Sequence, residues 1–186
     1  MIISPDYFAL MQNPHRSKKT SDHESFSGSV VKTSGSVENT KIPTSAGSIL
    51  YRKEGAIYSG GNGTGLSFYL EYAVESTEEN PVIIARGVDE NRNEFKQVIS
   101  VNDINPRNAT LVELQAFASH YKLGKKIMGL SSLPTEIRNI GLTDRVDLYR
   151  AFEKGIKNFQ TVGRYDLEAL YKRNYNVYLE AFKSLE

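Results

Sequence analysis

The chain reads as an α+β protein: a small antiparallel sheet followed by about three C-terminal helices. Three observations carry that reading. Apolar residues alternate with polar ones along residues 66–75, and a period of two marks a half-buried strand. Two further strand-like runs, 82–88 and 95–101, follow across short polar turns, which favours a meander of three or more strands. After Asn102 the apolar spacing changes to that of helices.

Residues 12–48 are rich in Ser, Thr, Lys, Asn and Gly and poor in large apolar side chains. Such a stretch buries too little surface to offset its ordering entropy. Residues 1–48 are therefore predicted to be a flexible polar arm, with Ser29–Lys32 as a short edge strand inside it. Ile2, Ile3, Tyr7, Phe8, Leu10 and Met11 form an apolar patch ahead of it. A single α+β domain is expected over residues 49–186.

Within that domain Ile49–Lys53 reads as a strand, and GGNGTG at 60–65 as a breaker cluster. In the alternating run, Leu66, Phe68, Leu70, Tyr72 and Val74 are expected to point inward, and Ser67, Tyr69, Glu71, Ala73 and Glu75 outward. Val82–Val88 and Phe95–Val101 follow as strands, joined by the turn Asp89–Asn93. Thr110 and Glu113 stand at capping-box spacing. Leu111, Leu114, Phe117, Ala118 and Tyr121 then recur at helical spacing, with Gly124 as the expected stop. A second helix is expected over Thr143–Thr161, with Val146, Tyr149, Phe152, Ile156 and Phe159 inward. A third is expected over Asp166–Leu185, with Leu167, Leu170, Tyr171, Val177, Tyr178 and Phe182 inward. Gly163 separates them, so they should form an antiparallel pair.

Composition excludes several chemistries. The chain has no cysteine, which removes disulfides, thiolate metal sites and thiol nucleophiles. Its net charge is +1, so no global field steers it to nucleic acid or an anionic membrane. No apolar run approaches the roughly 20 residues that span a bilayer. The opening MIISPDYFALMQNP lacks a basic n-region and carries Pro5 and Asp6 in its apolar stretch. The expected location is the cytoplasm, with export without a cleaved signal as the alternative.

No recognisable catalytic set stands in the sequence. GGNGTG lacks the glycine spacing of a dinucleotide fingerprint and the Lys of a P-loop. Asp89, Asn91 and Asn93 imitate the start of a calcium loop, but Glu94 and Ser100 occupy the places where Gly and Glu are needed. His15, His23 and His120 do not form a set. Asn102–Asn108 is the polar cluster of most interest. Asp103, Asn105, Arg107 and Asn108 precede a helix start, where free amides and an Arg can take an anion. The structural reading ranks ahead: Asx turns, a Pro-fixed φ, and pairing of Asp103 with Arg107. Tyr171, Tyr175 and Tyr178 line one stripe of the last helix. They serve either a core boundary, the favoured reading, or a binding face. Lys172 and Arg173 lie beside that stripe without a second basic cluster in the sequence, so nucleic acid is not favoured.

LSFYLEY (66–72), ENPVIIARGVDENRNEF (79–95) and VNDINPRNAT (101–110) together resemble a family of functionally uncharacterised bacterial proteins, mainly from Gram-positive anaerobes. The resemblance implies a bacterial domain of unknown function and assigns no chemistry. The residues themselves favour a non-enzymatic protein-interaction or structural module. Its expected partner is another protein or itself, with no membrane, no cofactor and no metal. Two alternatives stand beside it. One is a protein exported by a flagellar-type route. The other is a hydrolase-like enzyme whose carboxylates, Glu71, Glu75 and Asp103, meet only in three dimensions.

Overall fold

β1 (Thr40–Pro43) and β2 (Ile49–Arg52) pair antiparallel, Thr40 opposite Arg52 and Pro43 opposite Ile49. The computed structural model describes residues 40–43, 49–127 and 129–185, with side chains described from residue 51 onward apart from 128–130. β1 lies inside the segment that composition assigned to the polar arm. The rest of that segment, including the apolar patch and the Ser29–Lys32 strand, lies outside the described residues.

β3 (Tyr58–Gly61), β4 (Ser67–Tyr72), β5 (Val82–Val88) and β6 (Glu94–Ser100) form a four-stranded antiparallel meander in sequence order. The α+β expectation is met, with one strand more than the sequence showed. Gly60 and Gly61 of the supposed breaker cluster belong to β3. The turn after them is held by Asn62, whose side chain accepts from the Thr64 amide at 3.0 Å. Asp89 builds the β5–β6 turn by accepting from the Asn91 and Asn93 amides at 2.8 and 2.7 Å. Desolvation, the largest single influence, raises its carboxyl, but the bonds from Asn93 and Asn91 together outweigh it and hold the carboxyl below the usual range.

Both faces of β4 are covered. Leu66, Phe68 and Leu70 enter the main core with Ile83, Ala85 and Ile99. On the other face Tyr69 is only 1% exposed, because β2 crosses it. Tyr51 stacks on Tyr69 at 6.4 Å, and the Tyr51 amide donates to the Ser67 hydroxyl at 2.9 Å. A second small core of Tyr51, Tyr69, Val88 and Ala56 results. The outward assignment of Ser67 and Tyr69 is thereby corrected. Tyr72 and Val74, expected inside, are exposed.

α1 (Leu111–His120) carries the expected capping box: Glu113 N donates to Thr110 Oγ1 at 3.2 Å, and Thr110 N donates to Glu113 Oε2 at 2.9 Å. It is buried on nearly every side, Val112, Gln115 and Ala116 included. Lys122, at φ 52°, takes the left-handed position after the helix, not Gly124, which sits in a 3-10 turn (Leu123–Lys125). A short helix, α2 (Thr135–Arg138), follows Pro134.

α3 (Leu148–Thr161) begins five residues later than its periodicity predicts. Val146 is extended and bridges Ala109 through bonds of 2.9 and 3.1 Å, and Asp147 caps the helix by accepting from Arg150 N. α4 (Tyr165–Lys183) returns antiparallel after Gly163 at φ 68°. Tyr149 meets Tyr175, Phe152 meets Tyr178, and Phe159 meets Tyr171. Gly155 lets Tyr171 approach; a Cβ there would stand 2.5 Å from its ring. α4 joins the main core through Phe182, which stacks on Phe117 at 3.7 Å. Among the described residues no helix is long and apolar enough to cross a membrane.

Candidate functional site

The Asn102–Asn108 turn is pinned from several directions. Asn105 Oδ1 accepts from the Arg107 amide at 2.9 Å, forming an Asx turn. The Pro106 carbonyl accepts from Leu148 N at 2.8 Å, and the Asn108 carbonyl from Arg145 at 2.7 Å. The Asn102 side chain donates to the Glu79 carbonyl at 2.8 Å. The turn therefore ties the sheet, α1 and the approach to α3 together.

A recess of about 360 Å³ opens beside it, lined by Asp103, Asn105 and Asn108, with Ser100, Glu113 and Arg145 completing its polar wall. Arg107 is not among the lining residues. Its guanidinium is 3.5 Å from Asp147 and lies 5.2 Å from the centre of the Tyr149 ring. The expected Asp103–Arg107 pair is therefore replaced by Arg107–Asp147. Nor is the helix start an open anion cradle. Glu113 already places a carboxylate there, and Arg145 donates to its two oxygens at 3.0 and 3.2 Å. Arg145 had no signal in the sequence, because its role depends on the extended segment before α3.

The tyrosine stripe falls at the boundary between α3 and α4. Tyr178 is 1% exposed, so it is corrected from a candidate binding residue to a core residue. Burial pushes its hydroxyl up to about 12, and a hydrogen bond with Ser132 opposes this in part. Tyr171 and Tyr175 are half-buried against Phe152. The three carboxylates of the hydrolase alternative stand in different settings. Glu71 is engaged by Lys53 and Arg86, Glu75 is exposed after β4, and Asp103 lines the recess. His120 meets Tyr72, its Nδ1 lying 3.0 Å from the hydroxyl. No cluster of His, Asp or Glu among the described residues is arranged to hold a metal ion.

The recess continues onto an open strand edge. The β5–β6 ladder is closed by Val101 N to the Pro81 carbonyl and by Asp89 N to the Asn93 carbonyl. By antiparallel alternation, the odd residues from 93 to 101 face β5, and Lys96, Val98 and Ser100 direct their amides and carbonyls away from it. The amides and carbonyls of Lys96 and Val98 and the Ser100 amide have no hydrogen-bond partner among the described residues, while the Ser100 carbonyl opens the 3-10 turn Val101–Asp103. Val98 is also 59% exposed.

Tertiary structure assembles a basic recess that sequence reasoning missed. Lys125 and Lys126, after α1, come together with Arg173 of α4 around a cavity of about 430 Å³. Arg173 donates to the Lys126 carbonyl at 3.2 Å. Residues 125 and 173 are too far apart in the chain for spacing to reveal this. No protein-family model, curated protein or solved structure matches the chain.

Proposed function

We propose that the chain is a non-enzymatic binding module that takes an extended segment of another protein along the free edge of β6. The observation that supports this is the outward backbone of Lys96 and Val98 and the Ser100 amide, unpaired among the described residues and running into the recess lined by Asp103, Asn105 and Asn108. An open edge supplies main-chain hydrogen bonds to an incoming strand, and an adjoining recess supplies side-chain selection. Two of the recess's polar groups hold each other, Arg145 and Glu113, and Asn105 is spent on the Arg107 amide outside it. That arrangement fits a rigid docking surface better than acid–base chemistry.

The test is affinity capture with the tagged full chain, compared with the Val98→Pro variant. The Val98 amide faces away from β5, so proline removes a free donor without breaking the ladder. The expected result is a stoichiometric partner for the parent chain that is lost in the variant, with the circular dichroism spectrum unchanged. Capture of the same partner by both proteins would overturn the proposal. So would turnover of a substrate that depends on Asp103.

A further inference from the structure

The basic recess differs from the rest of the surface in its charge balance. Lys125, Lys126 and Arg173 of this recess, and Lys122 of the recess beside it, are all exposed, and none has a carboxylate at ion-pair distance among the described residues. Two acidic groups near the start of α4 are already taken. Arg164 holds Asp166 at 2.8 Å, and Lys172 holds Glu168 at 2.6 Å. The four cations therefore create a local positive field in a protein whose net charge is only +1.

Between Lys125, Lys126 and Arg173 the lining is mixed, with Ser131, Ser132 and Asn174 beside two apolar residues. Ile127 and Leu170 line the recess, and Leu170 is 47% exposed although its helix buries other apolar residues. Its volume of about 430 Å³ falls in the ordinary range of binding pockets, about 300–1,000 Å³. A second recess of about 320 Å³ adjoins it across Gly124 and Lys125, with Ile57, Tyr58 and Ala118 in its wall. Gly124 lines both, and a Cβ there would meet nothing within 4 Å.

We propose that this recess docks an acidic, extended peptide segment of a partner protein, with an apolar side chain anchored on Ile127 and Leu170 and carboxylates facing Lys122, Lys125 and Lys126. Charge complementarity selects the occupant. A single-stranded nucleic acid would meet the same cations, but it needs aromatic platforms for its bases. Among the described residues the larger recess has none in its lining. A small anion alone would leave Leu170 uncovered. The site is separate from the β6 edge, so either proposal can fail without the other.

The experiment is fluorescence polarisation with the full chain and a labelled peptide of alternating aspartate and glutamate around a central leucine. Three probes stand beside it: the same peptide with a central serine, a charge-matched oligouridylate, and inorganic phosphate. The leucine peptide is expected to bind most tightly, and its affinity to fall with added salt. Lys125→Glu with Lys126→Glu is expected to weaken it by about tenfold or more. Arg150→Glu with Lys157→Glu makes the same charge change on α3 and is expected to leave it unaltered. Leu170→Ser, which reverses no charge, is expected to remove the preference for leucine over serine. Arg173 is left intact because it anchors the Lys126 carbonyl. The proposal is overturned if the peptide does not bind, or if the Lys125→Glu, Lys126→Glu chain melts normally and still binds it. Tighter binding of the oligouridylate, or full competition by phosphate, would overturn it equally.

Discussion

Arg145 grips Glu113 with two donors, at 3.0 and 3.2 Å, across 32 residues of chain. Glu113 also accepts from the Thr110 amide, so one carboxylate closes the start of α1 and anchors the segment leading to α3. Its side chain is only 14% exposed. Glu113→Ala is expected to cost about 2 kcal/mol, combining a lost cap with an unpaired Arg145. Glu113→Gln keeps an acceptor for Thr110 and should cost about half as much. Urea unfolding measures both; a loss near zero for Glu113→Gln would show that the charge on Glu113 contributes nothing, and equal losses would show that the retained acceptor does not.

Tyr69 and Tyr72 exchange the roles that strand alternation assigns them. Tyr69 is 1% exposed beneath Tyr51, while Tyr72 is 45% exposed. Tyr69→Ala is expected to destabilise the chain by about 3–4 kcal/mol, and Tyr72→Ala by about 1 kcal/mol. Thermal or chemical denaturation decides between them. The reverse order would mean that β2 does not cover β4.

Gly87 faces Phe68 across the β4–β5 ladder with no room for a side chain. A Cβ at this position would lie 2.0 Å from the Ser67 carbonyl oxygen and 2.7 Å from Phe68 Cα. These are backbone atoms and cannot rotate aside. Gly87→Ala is expected to cost about 3 kcal/mol or more. Gly124→Ala, in open space, should be within about 0.5 kcal/mol of the parent.

His120 is held below its ordinary value of 6.5, first by partial burial and then by the charge of Lys122. With its folded value depressed, the unfolded chain takes up the proton first as pH falls. The neutral ring therefore contributes stability above about 6.5, and that contribution declines as pH drops from there toward the folded value. An NMR titration of the His120 ring should show a midpoint below 6.5. Lys122→Ala should raise it only part of the way, because burial is the larger cause. A midpoint above 6.5 in the parent chain would contradict the local electrostatics.

The fold class was legible because its signals are local. The strand signal over Ser67–Tyr72, the Asp89–Asn93 turn and the Thr110–Glu113 box each lie within a few residues, and each element appears where expected, although the burial of Ser67 and Tyr69 does not follow the alternation. β3 escaped because its two glycines read as a break, and β1 because its surroundings are polar. The Thr143 start for α3 failed because Val146 pairs with Ala109, a partner 37 residues earlier. The Asn102–Asn108 cluster was visible as a polar turn, but Arg145 was not, and Arg107 faces Asp147 and Tyr149 instead.

Local spacing by itself established a sheet followed by helices, with the α1 capping box and the Asp89–Asn93 turn at the right places, since those choices depend on neighbours within one turn or one strand. Tertiary structure alone decided that both faces of β4 are covered, which carboxylate Arg145 holds, and that Lys125, Lys126 and Arg173 share a recess. Burial and ion pairing depend on what packs from elsewhere in the chain, and no short window of sequence contains that partner.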